Sequence, residues 1–375
     1  MKKILVISKT VSSYHSPIFK KIGKNNYLHA LYYRNDQFIN WYNPEYKTVI
    51  KKNKKLFIGY KFTFINSSNS ILKLIEFTYK LINTLLKYNI KNILIFGYDH
   101  PTCWIAIITG KILNRNILWR GEAILKKENF IKKIIKKIYL KTFFSMCDYL
   151  FYSCDNNRKL ISKYSASKLW PYPCSVDNLF FRKKFFYLKK KKNDLIQKYK
   201  LSNSSFKIVA VSRLTKRKNL AYLLKEIYLS KIKNIEILIV GNGPEYEKLI
   251  KLAKKLNLSV KFFGYQEHEE VCRILSIANL YCLVSNFDAS PKSLNEALNF
   301  KLPIIIRDTI GTAGDLIIDN FNGVILKKKD KLNLVLKDLI KDKKKQKLFS
   351  KNSYKTLDSF FNHDVCKNNI IKKCL

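Results

Sequence analysis

The sequence predicts an α/β protein of two consecutive doubly wound domains, each a parallel sheet covered by helices on both faces. Three observations point there. The chain has 375 residues, more than the roughly 100 to 200 of one typical domain. It is 47% hydrophobic and 14% aromatic, enough apolar surface to offset the entropy of ordering two cores and to exclude intrinsic disorder over most of its length. Short β-rich runs alternate with longer amphipathic stretches, the rhythm of β-α-β units.

In the first half, strands are expected over 3–8, 29–33, 92–96, 116–119 and 148–152. Residues 70–88 place apolar side chains at every third or fourth position and predict a helix. A lysine-rich stretch then passes into Ser and Asn, after which strands restart at 206–212, 235–241, 260–264, 280–285, 302–308 and 323–327. The expected organisation is a first domain over 1–180, a linker with the first helix of the second domain over 181–205, and a second domain over 206–350. Helices over 351–375 are expected to pack back towards the first domain. In such sheets ligands bind beyond the carboxyl ends of the strands, so the chemistry belongs in the loops that follow them.

Lysine and arginine number 72 against 27 acidic residues, a formal charge of 72 − 27 = +45. Only nine of the 72 are arginine. Base-reading surfaces lean on the planar arginine fork, and no RNP-like or helix-turn-helix signature accompanies the charge. Much of the charge therefore reads as compositional; an anionic membrane surface is a candidate partner, nucleic acid is not expected as one, and a basic nucleic-acid-binding protein is the less favoured alternative.

The eight cysteines form no C-x-x-C pair and have no His/Cys ligand spacing. This is a reduced, cytoplasmic pattern without a structural metal. The apolar run at 4–7 is too short for a signal-peptide core, and the most apolar window, 92–110, is broken by Asp99, His100 and Pro101. No membrane-spanning helix is expected.

The second half carries an ordered series of loops. Strand 206–212 ends in Arg213 and Leu214, with Lys218 and Asn219 where a helix should begin. Two cations beside a helix start suit a diphosphate, because Coulomb attraction, charge-assisted hydrogen bonds and free N–H groups add together. A solvated basic turn is the plain alternative. Strand 235–241 runs into Gly241-Asn242-Gly243-Pro244, where glycines permit a tight turn and Pro suits a helix start. After strand 280–285, Asp288 and Glu296 bracket Ser290, Lys292 and Ser293 in a small-residue loop entering a helix. Carboxylates so placed accept hydrogen bonds from vicinal hydroxyls of a sugar or ribose, and the N–H groups between them suit phosphate. The alternative is an N-cap Asp and a surface Glu. Another small-residue loop, Gly311-Thr312-Ala313-Gly314-Asp315-Leu316, follows the next strand.

Taken in this order, Ser212-Arg213-Leu214, Lys218-Asn219, Gly241 to Pro244, Ser285 with Asp288 and Glu296, Leu302 to Ile305, and Gly311 to Leu316 resemble the donor half of the group 1, or family 4, glycosyltransferases. Tyr172-Pro173-Cys174-Ser175-Val176-Asp177 with Phe181 is similar to the family's hinge segment, Cys-Ser standing for Asn-Gly. Gly97 to His100, Trp119-Arg120-Gly121-Glu122 and Tyr14 to Pro17 look like a subset that builds bacterial surface polysaccharides and lipopolysaccharide.

The resemblance implies a GT-B fold, two Rossmann-like domains facing a cleft, and retaining transfer of a sugar from a UDP- or GDP-linked donor. The acceptor would be a glycan or a lipid-linked molecule at the inner face of the membrane, and no cofactor or metal would be needed. By the same resemblance Arg213 and Lys218 would stabilise the departing diphosphate, Asp288 would hold the transferred sugar, and Glu296 the ribose. Gly241, Gly243, Ser290, Lys292 and Ser293 would line the nucleotide site. His100 joins the catalytic candidates, and His15 and Glu122 are acceptor-side candidates, with a loop histidine and a surface ion pair as their plain readings. His268 reads as structural. Asp288 is one methylene shorter than the usual Glu, and Lys9 to Ser13 lack the paired glycines of many relatives. A non-catalytic carbohydrate-binding relative would also carry these departures. The lysine-rich, aromatic segment 51–62 is expected either to meet anionic lipid or to form a core strand beside a solvated lysine run.

Overall fold

The computed structural model describes residues 2–23, 27–34, 41–43, 48–50, 54–65, 70–126 and 129–374. The chain folds into two compact units: 1–41, 49–174 and 362–375 in one, and 42–48 with 175–361 in the other.

The first unit runs β1 (Ile4–Ser8), α1 (Ser16–Gly23), β2 (Leu28–Tyr32), β3 (Trp41–Asn43), β4 (Thr48–Ile50), β5 (Lys61–Phe64), α2 (Ile71–Lys87), β6 (Asn92–Phe96), α3 (Pro101–Ile112), β7 (Asn116–Arg120), α4 (Phe130–Ser145), β8 (Tyr149–Tyr152), α5 (Asp155–Tyr164) and β9 (Leu169–Pro171). Residues of β3 and β4 fall on either side of the division. Seven strands form a sheet in the order β5-β2-β1-β6-β7-β8-β9. All six of its pairings are parallel. Both faces are covered, so the strands read as unbroken apolar runs. Leu5 and Ile7 pack with α2 to α5, while Ile4 and Val6 join Ile18, Phe19 and Ile22 of α1.

The second unit holds α6 (Asn178–Lys189), α7 (Lys192–Lys198), β10 (Phe206–Val211), α8 (Leu220–Leu229), β11 (Ile235–Val240), α9 (Tyr246–Lys255), β12 (Val260–Phe262), α10 (His268–Ile277), β13 (Leu280–Leu283), α11 (Lys292–Asn299), β14 (Ile304–Arg307), β15 (Val324–Leu326), α12 (Leu332–Lys341) and α13 (Lys343–Ser359). The sheet order β12-β11-β10-β13-β14-β15 is again all parallel. The last helix, α14 (His363–Cys374), returns to the first unit, where Cys366, Ile370 and Cys374 enter its core.

Each expected strand has a counterpart. In the seven-stranded sheet, β9 lies where sequence reading places no strand, and β5 overlaps only the end of segment 51–62. Both are edge strands, too short to carry a pattern. The lysine-rich stretch 182–201 is largely helix: α6 starts at Asn178, capped by Asp177, whose side chain accepts a hydrogen bond from the Phe180 N–H. The boundary between the units falls at Cys174/Ser175, and residues 351–359 stay with the second unit as part of α13.

In each sheet the chain first winds outward from a central strand and then crosses to its other side. The switch lies between β1 and β6 in the first unit and between β10 and β13 in the second. Neighbouring loops diverge at such a point and leave a crevice beyond the strand ends.

Candidate active site

The loops after β10 and β13 meet at the second unit's switch point. Residues 216–218 make a single 3-10 turn, and Asn219 takes a left-handed conformation, φ 55°, before α8 begins. This turn carries Lys218 inward to 7% exposure. Its ammonium touches the Asp288 carboxylate, and the Asn286 N–H donates to the Arg217 carbonyl at 2.8 Å, so the two loops are tied by side chain and backbone. Arg213 is half-buried within electrostatic reach of both Arg217 and Asp288.

These charges perturb one another. Burial lowers the Lys218 pKa, and Arg217 and Arg213 add to the effect, while Asp288 opposes it. Burial likewise lowers Arg213, helped by Arg217 and opposed by Asp288. Lys218 and Arg213 near one carboxylate, with Arg217 beside them, leave a net positive site, which an anionic ligand would relieve.

The glycine loop has a packing reason. Gly241 has φ +130°, and a Cβ there would stand 1.9 Å from the Ser212 carbonyl oxygen; at Gly243, φ +156°, it would stand 2.5 Å from that of Leu214. Only glycine lets residues 241–243 lie against residues 212–214. The Leu214 N–H donates to the Asn242 carbonyl at 2.9 Å, fixing the cationic loop from its other side.

Asp288 is held in turn. Its carbonyl accepts from the Gly311 N–H at 2.7 Å, and its second carboxylate oxygen accepts from the Ser290 N–H at 3.4 Å. Lys292 reaches the Ser290 carbonyl at 3.5 Å, and Ser293 accepts from the buried Tyr281 hydroxyl at 2.7 Å. Burial raises the Tyr281 pKa first, and both Glu296 and Asp288 add to it, so the two carboxylates act on one hydroxyl. Glu296, 3% exposed in the second turn of α11, lies 3.5 Å from the ring of His268. Burial alone would lower His268, but the hydrogen bond and charge of Glu296, with Glu267, raise it above its ordinary value.

His268, which the sequence reads as structural, thus lies beside the candidate Glu296. Its place at the start of α10, after β12, was legible. Its contact with a residue 28 positions later (296 − 268) was not.

The first unit places its candidates at its own strand ends. His100 caps α3: its Nδ1 accepts from the Thr102 N–H at 3.3 Å, and its ring stacks on Tyr33 with centroids 4.7 Å apart. Burial lowers its pKa, with Lys9 and Arg34 adding and Asp99 opposing. His15 and Glu122 converge on a different group. His15 packs against Phe96 and lies 3.4 Å from the Tyr172 hydroxyl. Glu122 pairs with the fully buried Arg120, whose guanidinium lies over the Tyr172 ring at 5.1 Å. Arg120 and Tyr172 are the residues that sequence reading passed over as candidates.

In segment 51–62 Phe57 and Tyr60 are buried in the cluster beneath α1, while Ile58 between them is exposed. Residues 51–53, including Lys51 and Lys52, lie outside the described residues. Among the described residues no helix is long and apolar enough to cross a membrane.

Residues 191–356 match the family described as glycosyl transferases group 1. An uncharacterized glycosyltransferase of Methanocaldococcus jannaschii is 26% identical over 82% of this chain and 75% of its own length. The alpha-monoglucosyldiacylglycerol synthase of Acholeplasma laidlawii is 30% identical over 37% of this chain and 35% of its own. Among solved structures, Anabaena HepE in complex with UDP and glucose superposes with a TM-score of 0.75 at 14% identity, covering 100% of this chain and 99% of that one. At that identity the likeness speaks to the fold.

Proposed function

We propose that this chain, whose residues 191–356 match the group 1 glycosyltransferases and which has the GT-B fold, moves a sugar, with retention, from a UDP- or GDP-linked donor to a glycan or lipid-linked acceptor. The observation that carries this is the contact of Lys218 with Asp288 at the switch point of the second unit, with Arg213 within electrostatic reach of the same carboxylate and Arg217 beside the two cations. Charge develops on the leaving diphosphate as the glycosidic bond breaks, and cations already fixed in place stabilise it without reorganising. Asp288 orients Lys218 and presents its carboxylate to the transferred sugar, while Glu296, steadied by His268, accepts from the ribose hydroxyls.

No side chain need act as nucleophile. The acceptor hydroxyl forms the new bond to the anomeric carbon on the face that the phosphate leaves, and its proton passes to the departing phosphate oxygen. The fixed cations supply the charge compensation that a metal supplies elsewhere, so the reaction proceeds without one. Support for a lipid acceptor comes from the Acholeplasma relative, whose name gives a glycolipid as its product. Its place would be the cytoplasmic membrane face.

The test is donor hydrolysis across a panel of UDP- and GDP-sugars in the presence of EDTA. Release of nucleotide from at least one donor is expected. No release from any donor, or release only once Mg²⁺ or Mn²⁺ is restored, would overturn the reading.

A further inference from the structure

The helix α4 carries two opposed apolar faces, and only one of them is used by the fold. Asn129 starts it, its side chain accepting from the Lys132 N–H at 3.0 Å. Leu140, Phe143 and Phe144 are buried against the sheet. Phe130, Ile131, Ile134, Ile135 and Ile138 are instead turned outward, with Phe130 74% and Ile138 64% exposed. At about 100° per residue these five fall within an arc of about 140°, centred opposite the buried face. Lys132, Lys133 and Lys137 flank that arc, Lys141 falls just inside its edge, Lys136 lies on the buried side, and the helix contains no acid.

The stripe is not isolated. The Trp104 indole of α3 donates to the Tyr139 hydroxyl of α4 at 2.7 Å, and α2 packs beside α3 on the same sheet face. Ile112 of α3 and Ile71, Leu72 and Ile75 of α2 are exposed as well. Exposed apolar groups gathered on one helix face commonly mark a contact surface.

We propose that the outer face of α4 is a docking surface for an anionic lipid bilayer, lying in the headgroup plane with its isoleucines in the acyl boundary and Lys132, Lys133, Lys137 and Lys141 on lipid phosphates. Charge chooses among occupants. A second copy would set Lys132, Lys133, Lys137 and Lys141 against the same four of its partner, in a chain of formal charge +45. A nucleic acid would use the lysines and leave the isoleucines in water. A bilayer with anionic headgroups takes both, and each lysine near it strengthens partitioning by roughly fivefold. This relocates the lipid contact from segment 51–62, whose Phe57 and Tyr60 are committed to the core. The inference deepens the lipid-acceptor reading above, yet its test uses no sugar donor, so either can fail alone.

The whole chain is sedimented with vesicles of phosphatidylcholine alone and of phosphatidylcholine with phosphatidylglycerol. Binding is expected only with phosphatidylglycerol, and it weakens as salt rises. The triple variant Ile131→Ser, Ile135→Ser, Ile138→Ser alters exposed positions and so keeps the wild-type melting temperature and donor hydrolysis, while its partitioning falls at least about tenfold. The set Lys132→Gln, Lys133→Gln, Lys137→Gln, Lys141→Gln loses the anionic preference. Equal sedimentation of wild type and triple variant, or no wild-type binding to phosphatidylglycerol vesicles, overturns the proposal. So does a wild-type dimer in solution that the triple variant dissociates, since the face would then be a contact between copies.

Discussion

The Lys218 ammonium sits against the Asp288 carboxylate across 70 residues of sequence, joining the turn that follows β10 to the turn that follows β13. Both side chains are largely buried, and Arg213 stands within reach of the same carboxylate. The contact makes Asp288 part of the cationic site, so the expected division into a diphosphate half and a sugar half is one electrostatic unit. Removing either partner has two effects, one on chemistry and one on the fold.

Arg213→Ala removes one leaving-group contact and is expected to lower kcat by about 10²- to 10³-fold. Because Arg213 is only half-buried, the melting temperature should move little. Steady-state kinetics alongside thermal unfolding check both; a near wild-type kcat would remove Arg213 from the mechanism.

Lys218→Ala is expected to lose activity and also to destabilise, since an unpartnered buried carboxylate typically costs about 3 to 5 kcal/mol. Lys218→Ala combined with Asp288→Asn should regain most of the lost stability and none of the activity. Asp288→Glu retains the charge and should be tolerated in donor use. Denaturant titration of the single and double variants reads the coupling; strict additivity would mean that the pair does not act as one.

Glu296→Ala should weaken donor binding by about 1 to 3 kcal/mol, the cost of leaving buried polar groups unmatched, with a smaller effect on kcat. Titration of the donor separates the two, and unchanged binding would remove the ribose role.

The Glu296 contact raises His268 above its ordinary value of 6.5. A raised folded pKa contributes stability that is fully present below the unfolded value of about 6.5 and is lost as pH rises through the folded value. The melting-temperature gap between wild type and His268→Gln should therefore be wider near about pH 5.5 than near about pH 8.5. A gap that does not change with pH would show that the pair carries no ionic component.

Gly241→Ala would force a left-handed backbone and a Cβ 1.9 Å from the Ser212 carbonyl oxygen. A loss of at least about 1 to 3 kcal/mol is expected, together with loss of activity as residues 212–214 are displaced. Unfolding with wild-type stability would mean that the two loops separate freely.

The parts of this architecture that show in the sequence are those with a local cause. The runs of β1, β6, β10 and β11 are apolar because both sheet faces are covered, and Gly241 and Gly243 mark a backbone that a side chain would obstruct. Order along the chain also places Arg213, Lys218, Asp288 and Glu296 after strands. What it does not give is pairing across that order: Lys218 with Asp288, Glu296 with His268, and Arg120 over Tyr172 are set by how distant segments meet. Over 181–205 the sequence predicts one helix and a linker, and two helices, α6 and α7, fill most of it: Asp177 caps α6 before the lysine-rich stretch begins, and Phe181 and Leu188 are buried. The same richness in lysine and asparagine puts Asn114, Lys200, Asn257 and Lys301 at left-handed positions after helices, where glycine would be expected to signal the end.

The central claim is that the cations of the second unit form a nucleoside diphosphate site, and isothermal titration of UDP and GDP in EDTA tests it most directly. The account predicts that one of the two binds the wild-type chain and that Arg213→Ala weakens this binding at least about tenfold without changing the melting temperature, as loss of a charge-assisted contact should. Binding of neither nucleotide, or equal binding by wild type and Arg213→Ala, would contradict it.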